Sequence, residues 1–234
     1  MNDIVKILTE YYPDLTDDQK DRLSVISTAL QRENQKFNLT ALKTDAEIAL
    51  LHLYDSLSLL KTGLFAGQSV IDIGCGAGFP SLPLAICAED CGVTANDSTG
   101  KKLSFVEQTA AEAGIKNIKT LFGRAEELSH EKNHRESYGI AVSRGVARLN
   151  VLAEWCLPFV KQNGYFTAMK GSNAEAELKE AENAITQLGG TLQEVKKVEI
   201  PTQNRTHHII IIRKTTPTPS TYPRQNSNII KKPL

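Results

Sequence analysis

The residues best suited to do chemistry lie in one run, Val70-Ile71-Asp72-Ile73-Gly74-Cys75-Gly76-Ala77-Gly78-Phe79-Pro80. Its apolar start reads as a buried strand that carries an acid and opens into three glycines at alternate positions. Pro80-Ser81-Leu82-Pro83-Leu84-Ala85-Ile86 then reads as the first turns of a helix, where proline is tolerated because its missing N–H would have no partner. A strand that turns through glycines into a helix is how α/β proteins hold a nucleoside. The glycines allow the turn and leave room where a side chain would strike the ligand.

Spacing narrows the ligand. A dinucleotide site uses Gly-x-Gly-x-x-Gly and aims a helix N-terminus at pyrophosphate. Here the spacing is Gly-x-Gly-x-Gly, with Asp72 before it. A carboxylate beside the loop repels pyrophosphate and suits a cationic or zwitterionic ligand. S-adenosylmethionine carries a sulfonium, an ammonium and no phosphate. Further on, Cys91-Gly92-Val93-Thr94-Ala95-Asn96-Asp97 reads as a second strand ending in an acid. Asp97 lies 19 positions beyond Gly78, the separation at which a carboxylate reaches a ribose hydroxyl pair. The plainer alternative is a glycine turn in an α/β protein that holds no cofactor.

These groups need a scaffold, and the chain is long enough for one. Its 234 residues can bury a core. Lys+Arg and Asp+Glu both number 27, so no global field draws the protein to nucleic acid, and any RNA contact must use a local patch. Cys75, Cys87, Cys91 and Cys156 show neither a Cys-x-x-Cys pair nor zinc spacing, which predicts free thiols in a reducing cytosol. No secretory pattern and no long apolar span is present, so a soluble, cytoplasmic protein without membrane contact is expected.

The first sixty-odd residues read as helical. Thr16-Asp17-Asp18-Gln19 and Thr44-Asp45-Ala46-Glu47 fit capping boxes. Leu23, Ile26 and Leu30 follow the first at one-face spacing; Leu50, Leu53, Leu57 and Leu60 follow the second, with Gly63 as a helix stop. Lys36-Phe37-Asn38-Leu39-Thr40 is a polar break between them. From Ser69 onward strands and helices alternate. Strands are predicted at 69–73, 92–97, 117–122, 138–143, 164–169, 191–200 and 207–213, and helices at 80–88, 100–113, 149–160 and 173–188. Such alternation predicts a mostly parallel sheet covered on both faces. Only Pro201 to Thr206 separate the last two strands, too few for a crossover, so they form an antiparallel hairpin at the sheet edge. The expected fold is therefore α/β, a Rossmann-like methyltransferase sheet of seven strands with an N-terminal helical extension. Three parts follow: the extension (1–64), a methyltransferase domain (65–214), and a basic, proline-containing tail (215–234). From Arg213 on the chain has four prolines, five basic residues and no acid. It reads equally as a disordered end or as a basic arm for phosphate.

The ordered set of motifs resembles the RsmG (GidB) family of bacterial 16S rRNA guanine-N7 methyltransferases, almost end to end. The resemblance is carried by Lys36-Phe37-Asn38-Leu39-Thr40-Ala41, His52-x-x-Asp55-Ser56-Leu57, the segment from Asp72 to Ile86, and Asp97-Ser98. Gly123-Arg124-Ala125-Glu126-Glu127, Ser143-Arg144, Lys170-Gly171, Leu188-Gly189-Gly190 and Tyr222-Pro223-Arg224 also fit. It implies methyl transfer from S-adenosylmethionine to N7 of the guanine at nucleotide 527, with 16S rRNA, the small ribosomal subunit or its assembly intermediate as partner. It places the cofactor on Gly74, Phe79, Asp97, Ser98, Thr99, Ala125, Glu126 and Arg144, beside Asp72, Gly76 and Gly78 of the glycine run. The chain departs from the family at Cys75, at Gly145, and at Gln225-Asn226-Ser227-Asn228, which leaves the tail's conformation open.

Other residues carry rival readings. Arg144 ends the fourth strand and Lys170 the fifth, on the side where ligands bind in open α/β sheets; cofactor or RNA phosphate suits Arg144, and RNA suits Lys170. His52 and Asp55 share a helix face and could touch the target base, or simply stabilise the helix. Arg224 is a further candidate for RNA. His207 and His208 point to opposite faces of a strand, so no metal site is expected. A monomer is expected. No Asn/Asp-Pro-Pro-aromatic loop for amine methylation is present, and Cys156 lies inside an apparent helix, a poor nucleophile. Guanine N7 has an in-plane lone pair and no proton, so it attacks a sulfonium methyl without a general base; positioning would supply the catalysis. Two rivals stand beside this reading. One is a nicotinamide-dependent oxidoreductase; the other is a non-catalytic RNA-binding assembly protein on the same fold.

Overall fold

The computed structural model describes residues 3–234. Seven strands form one sheet in the order β3-β2-β1-β4-β5-β7-β6. They are β1 (Ser69–Ile73), β2 (Gly92–Asp97), β3 (Ile118–Phe122), β4 (Tyr138–Arg144), β5 (Val160–Lys170), β6 (Gly190–Ile200) and β7 (Arg205–Lys214). β1 to β5 pair in parallel, whereas β7 lies antiparallel between β5 and β6. The predicted edge hairpin thus places its second strand inward.

Alternation along the central strands divides the core in two. Val70, Ile140, Val142, Ile209 and Ile211 face one apolar cluster; Ile71, Ile73, Ala141, Phe166, Ile210 and Ile212 face the other. The first is covered by α5 (Ser81–Cys87), α6 (Gly100–Glu112) and the N-terminal helices α1 (Asp3–Tyr11) and α2 (Asp17–Asn34). The second is covered by α7 (Ala125–Leu128), α8 (Leu149–Cys156) and α9 (Ala174–Gln187).

Both predicted capping boxes form, Thr16 with Gln19 and Thr44 with Glu47. Behind Thr44 the helical run changes pitch repeatedly: α3 (Asp45–Ile48), a π turn (Ala49–Tyr54), α4 (Asp55–Leu57) and a 3₁₀ turn (Ser58–Thr62), closed by left-handed Gly63. π turns concentrate at functional sites, and this one carries His52.

Two expectations need correction. The helix predicted over 149–160 stops at Cys156, because Pro158 redirects the chain through a 3₁₀ turn and β5 begins at Val160. The tail is neither disordered nor a free arm. It ends in α10 (Asn226–Lys231), whose Ile229 is wholly buried. Arg224 makes a paired contact with the carboxylate of fully buried Glu154, at 2.6 and 2.9 Å. Arg135 donates to the carbonyls of Thr218 and Tyr222. Arg224 is therefore committed to holding the tail and is not presented to RNA.

Candidate functional site

A cleft of about 760 Å³ opens at the carboxyl ends of the parallel strands, within the usual range for a small-molecule site. Its floor is the loop after β1, where Gly74, Gly76 and Gly78 all have positive φ. Gly76 lines the cleft, and a Cβ built on it would have no atom closer than 4.0 Å; its surface is a cradle open to a ligand. Gly78 has the opposite environment. A Cβ there would lie 2.6 Å from Leu82 Cδ1, so this glycine lets α5 pack on the strand and does not line the cleft.

Asp72 also lies behind the cleft wall. It is wholly buried, and its Oδ2 accepts the Ser81 amide at 3.2 Å and the Ser81 hydroxyl. It anchors the first turn of α5. Its Oδ1 has no hydrogen-bond partner, and burial pushes its pKa up to about 7. Direct contact between Asp72 and a ligand is not what this placement provides.

Asp97 is where the sequence places it, at the end of β2 and on the cleft. Its Oδ2 accepts the Gly76 amide at 3.1 Å and Oδ1 accepts the Thr99 amide at 2.8 Å, with Lys102 Nζ 3.4 Å from Oδ2. One carboxylate thereby fixes the glycine loop against the loop after β2. Ser98 and Thr99 continue that wall. Asn96 donates to the carbonyls of Leu121 and Gly123, which brings the end of β3 alongside. Ala125 and Glu126, at the start of α7, complete this side; both are buried.

The facing wall joins six separate parts of the chain: Thr40, the 51–55 turn, Phe79 and the ends of β4, β5 and β7. Arg144, at the end of β4, donates to the Leu51 carbonyl at 3.1 Å and to Asp55 Oδ2 at 3.0 Å, and its Nη2 is 2.9 Å from His52 Nδ1. His52 Nε2 is 2.9 Å from Thr40 Oγ1. The His52 ring stacks on Phe79, with centroids 4.4 Å apart, and the Arg144 guanidinium lies over the same Phe79 ring at 5.5 Å. Burial and the neighbouring Arg144 charge drive the His52 pKa down to about 3, which keeps the ring neutral. His207, on β7, places Nδ1 2.9 Å from Asp55 Oδ1. Lys170 reaches the cleft, but its Nζ is held by the Ala147 carbonyl and Glu177, both at 2.7 Å. It braces the loop after β4 rather than offering a free amine to RNA.

The sequence motifs identify most of this wall, but not its wiring. In the sequence His207 stands only as half of an adjacent pair unable to share a metal. Nothing local announces that it meets Asp55, 152 positions away. His208 does point the other way, toward the Gly171 carbonyl. Among the described residues no cluster suited to a metal ion occurs.

The cleft holds no activated thiol. Burial raises the Cys75 pKa well above its ordinary value and does the same to Cys156, which is wholly buried away from the cleft. Asp55, the carboxylate on the facing wall, is already engaged by Arg144 and His207. What remains is an open glycine cradle, a fixed carboxylate at the end of β2 with Lys102 beside it, and an aromatic and cationic wall opposite. This donor set fits S-adenosylmethionine.

Sheet order and cleft together define the class: a Rossmann-like S-adenosylmethionine-dependent methyltransferase. A SAM-dependent methyltransferase from Methanosarcina mazei superposes with a TM-score of 0.53, covering 67% of this chain and 97% of that one, at 18% identity. Sequence carries the assignment further. Residues 19–209 match the family described as rRNA small subunit methyltransferase G (GidB). Ribosomal RNA small subunit methyltransferase G of Clostridium perfringens is 41% identical over 94% of this chain and 93% of its own length. The homologue of the same name from Alkaliphilus oremlandii is 42% identical over the same shares. The chain belongs to the rRNA small subunit methyltransferase G family.

Proposed function

We propose that the protein transfers the methyl of S-adenosylmethionine to N7 of a guanine in 16S rRNA, at nucleotide 527, within the small subunit or a particle on its assembly path. The observation that carries this reading is one continuous cleft. It joins the Gly76–Asp97 cradle to the Arg144–His52–Phe79 wall and contains no activated thiol. When bound, the cofactor supplies an electrophilic methyl on a positively charged sulfur. The cradle residues Gly74, Gly76, Asp97, Ser98, Thr99, Ala125 and Glu126 hold it, with Asp97 at the ribose. Phe79, packed against the His52–Arg144 pair, orients the reacting end. The acceptor needs no base, because the N7 lone pair is already free; alignment supplies most of the rate. A target base lifted out of its stack meets the aromatic wall, so RNA shape governs access.

The test is to map N7-methylguanosine in 16S rRNA from cells with and without this protein, and to repeat the reaction with purified protein, labelled donor and small-subunit particles. Loss of the modification at one guanine, restored by the protein, is expected. A non-catalytic assembly role predicts the same methylation pattern in both cells.

A further inference from the structure

Direct attack by N7 assigns no task to one well-built pair in the cleft, Asp55 and His207. Asp55 is 2% exposed. Burial alone would raise its pKa, but the hydrogen bond from His207 and the Arg144 charge outweigh that and hold it below its ordinary value. An ionised carboxylate only accepts. The proton between Asp55 Oδ1 and His207 Nδ1, 2.9 Å apart, therefore belongs to the imidazole. In the neutral ring this leaves Nε2 as a bare lone pair. His207 lines the cleft, and no described residue bonds to its Nε2.

We propose that His207 Nε2 accepts the N1–H of the target guanine, and that Asp55 is a positioning residue that fixes the tautomer. The proposal rests on the guanine-N7 reading. Guanine and adenine both carry an N7 lone pair, so methyl transfer alone does not tell them apart. At N1 they differ: guanine donates a proton and adenine presents a lone pair. The lone pair of Nε2 attracts the first and repels the second. Gripping the base at N1 also leaves its N7 edge clear for the methyl. The N1 edge becomes available only when the base is unpaired, as in an extruded or single-stranded nucleotide.

The experiment measures initial rates of labelled-methyl incorporation into small-subunit particles bearing different bases at the target. Wild-type protein should methylate guanine, and hypoxanthine, which keeps N1–H, at a similar rate. It should fail on 2-aminopurine, whose N1 is a lone pair. His207→Phe should reduce kcat/KM on guanine about tenfold, the size of one lost hydrogen bond with its desolvation cost, and leave S-adenosylmethionine affinity by calorimetry unchanged. In Asp55→Asn the amide donates to Nδ1 and moves the ring proton to Nε2. Preference should then shift from guanine toward adenine. Equal wild-type rates on guanine and 2-aminopurine overturn the proposal, as does unaltered base preference in His207→Phe with cofactor binding intact; either leaves the guanine-N7 reading standing. No N7-methylguanosine from the wild type overturns that reading and this proposal with it.

Discussion

Asp97 shows how much one side chain can organise. Its two oxygens tie the amides of Gly76 and Thr99, so a ribose would meet a carboxylate that cannot swing. Asp97→Ala should weaken S-adenosylmethionine binding tenfold or more, about the 1.5–3 kcal/mol of a hydrogen bond to a charged group, as read by calorimetry. The neighbouring glycines separate two kinds of damage. Gly76→Val puts its side chain into the open cradle and should abolish cofactor binding in a folded protein. Gly78→Val collides with Leu82 and should lower the melting temperature. Asp72 gives a pH signature. Its pKa rises from the ordinary 3.8 to about 7 in the folded protein. Below about pH 4 both states hold the proton and the group is neutral toward stability. Between about 4 and 7 the unfolded chain ionises first, so stability falls with rising pH and then levels off. Asp72→Asn should remove that decline in melting temperature. The spacing of the acids was legible in the chain, but their depth was not. Asp72 lies one residue inside the end of β1, where Ser81 of α5 covers it, whereas Asp97 is the last residue of β2 and reaches the cleft.

At the level of elements, periodicity and capping residues located nearly every strand and helix, because both capping boxes and the alternating apolar runs act locally. The boundary between α8 and β5 escaped, since apolar residues continue through Leu157-Pro158-Phe159 and both states bury them. The tail escaped for another reason: its order comes from distant partners. Glu154, wholly buried on α8, is matched by Arg224, and Lys214, also wholly buried, is matched by Glu136 and two carbonyls. Removing one member of a buried pair strands the other. Arg224→Ala should cost about 3 kcal/mol, the lower end for such a loss, because the Arg224 amide still reaches Glu154. Urea unfolding measures it. Deleting residues 215–234 should therefore impair folding and cofactor binding together, instead of RNA methylation alone.

For the whole molecule, the extension and the sheet share one apolar core. Leu23, Ile26, Ile48 and Leu57 share a cluster with Val70, Leu84 and Val106, and Arg144 binds the Leu51 carbonyl. The full chain should unfold in a single calorimetric transition. A fragment of residues 65–234 should fail to give a cooperative melt, since it exposes the face those helices cover. The same interdependence governs the order in which the protein comes into being. The glycine loop and Asp97 emerge early in synthesis, but Asp55 waits for His207, which is translated 152 residues later. The Asp55–His207 pair therefore cannot close until the last hairpin, β6 and β7, has been made, so this wall is the last part of the cleft to assemble.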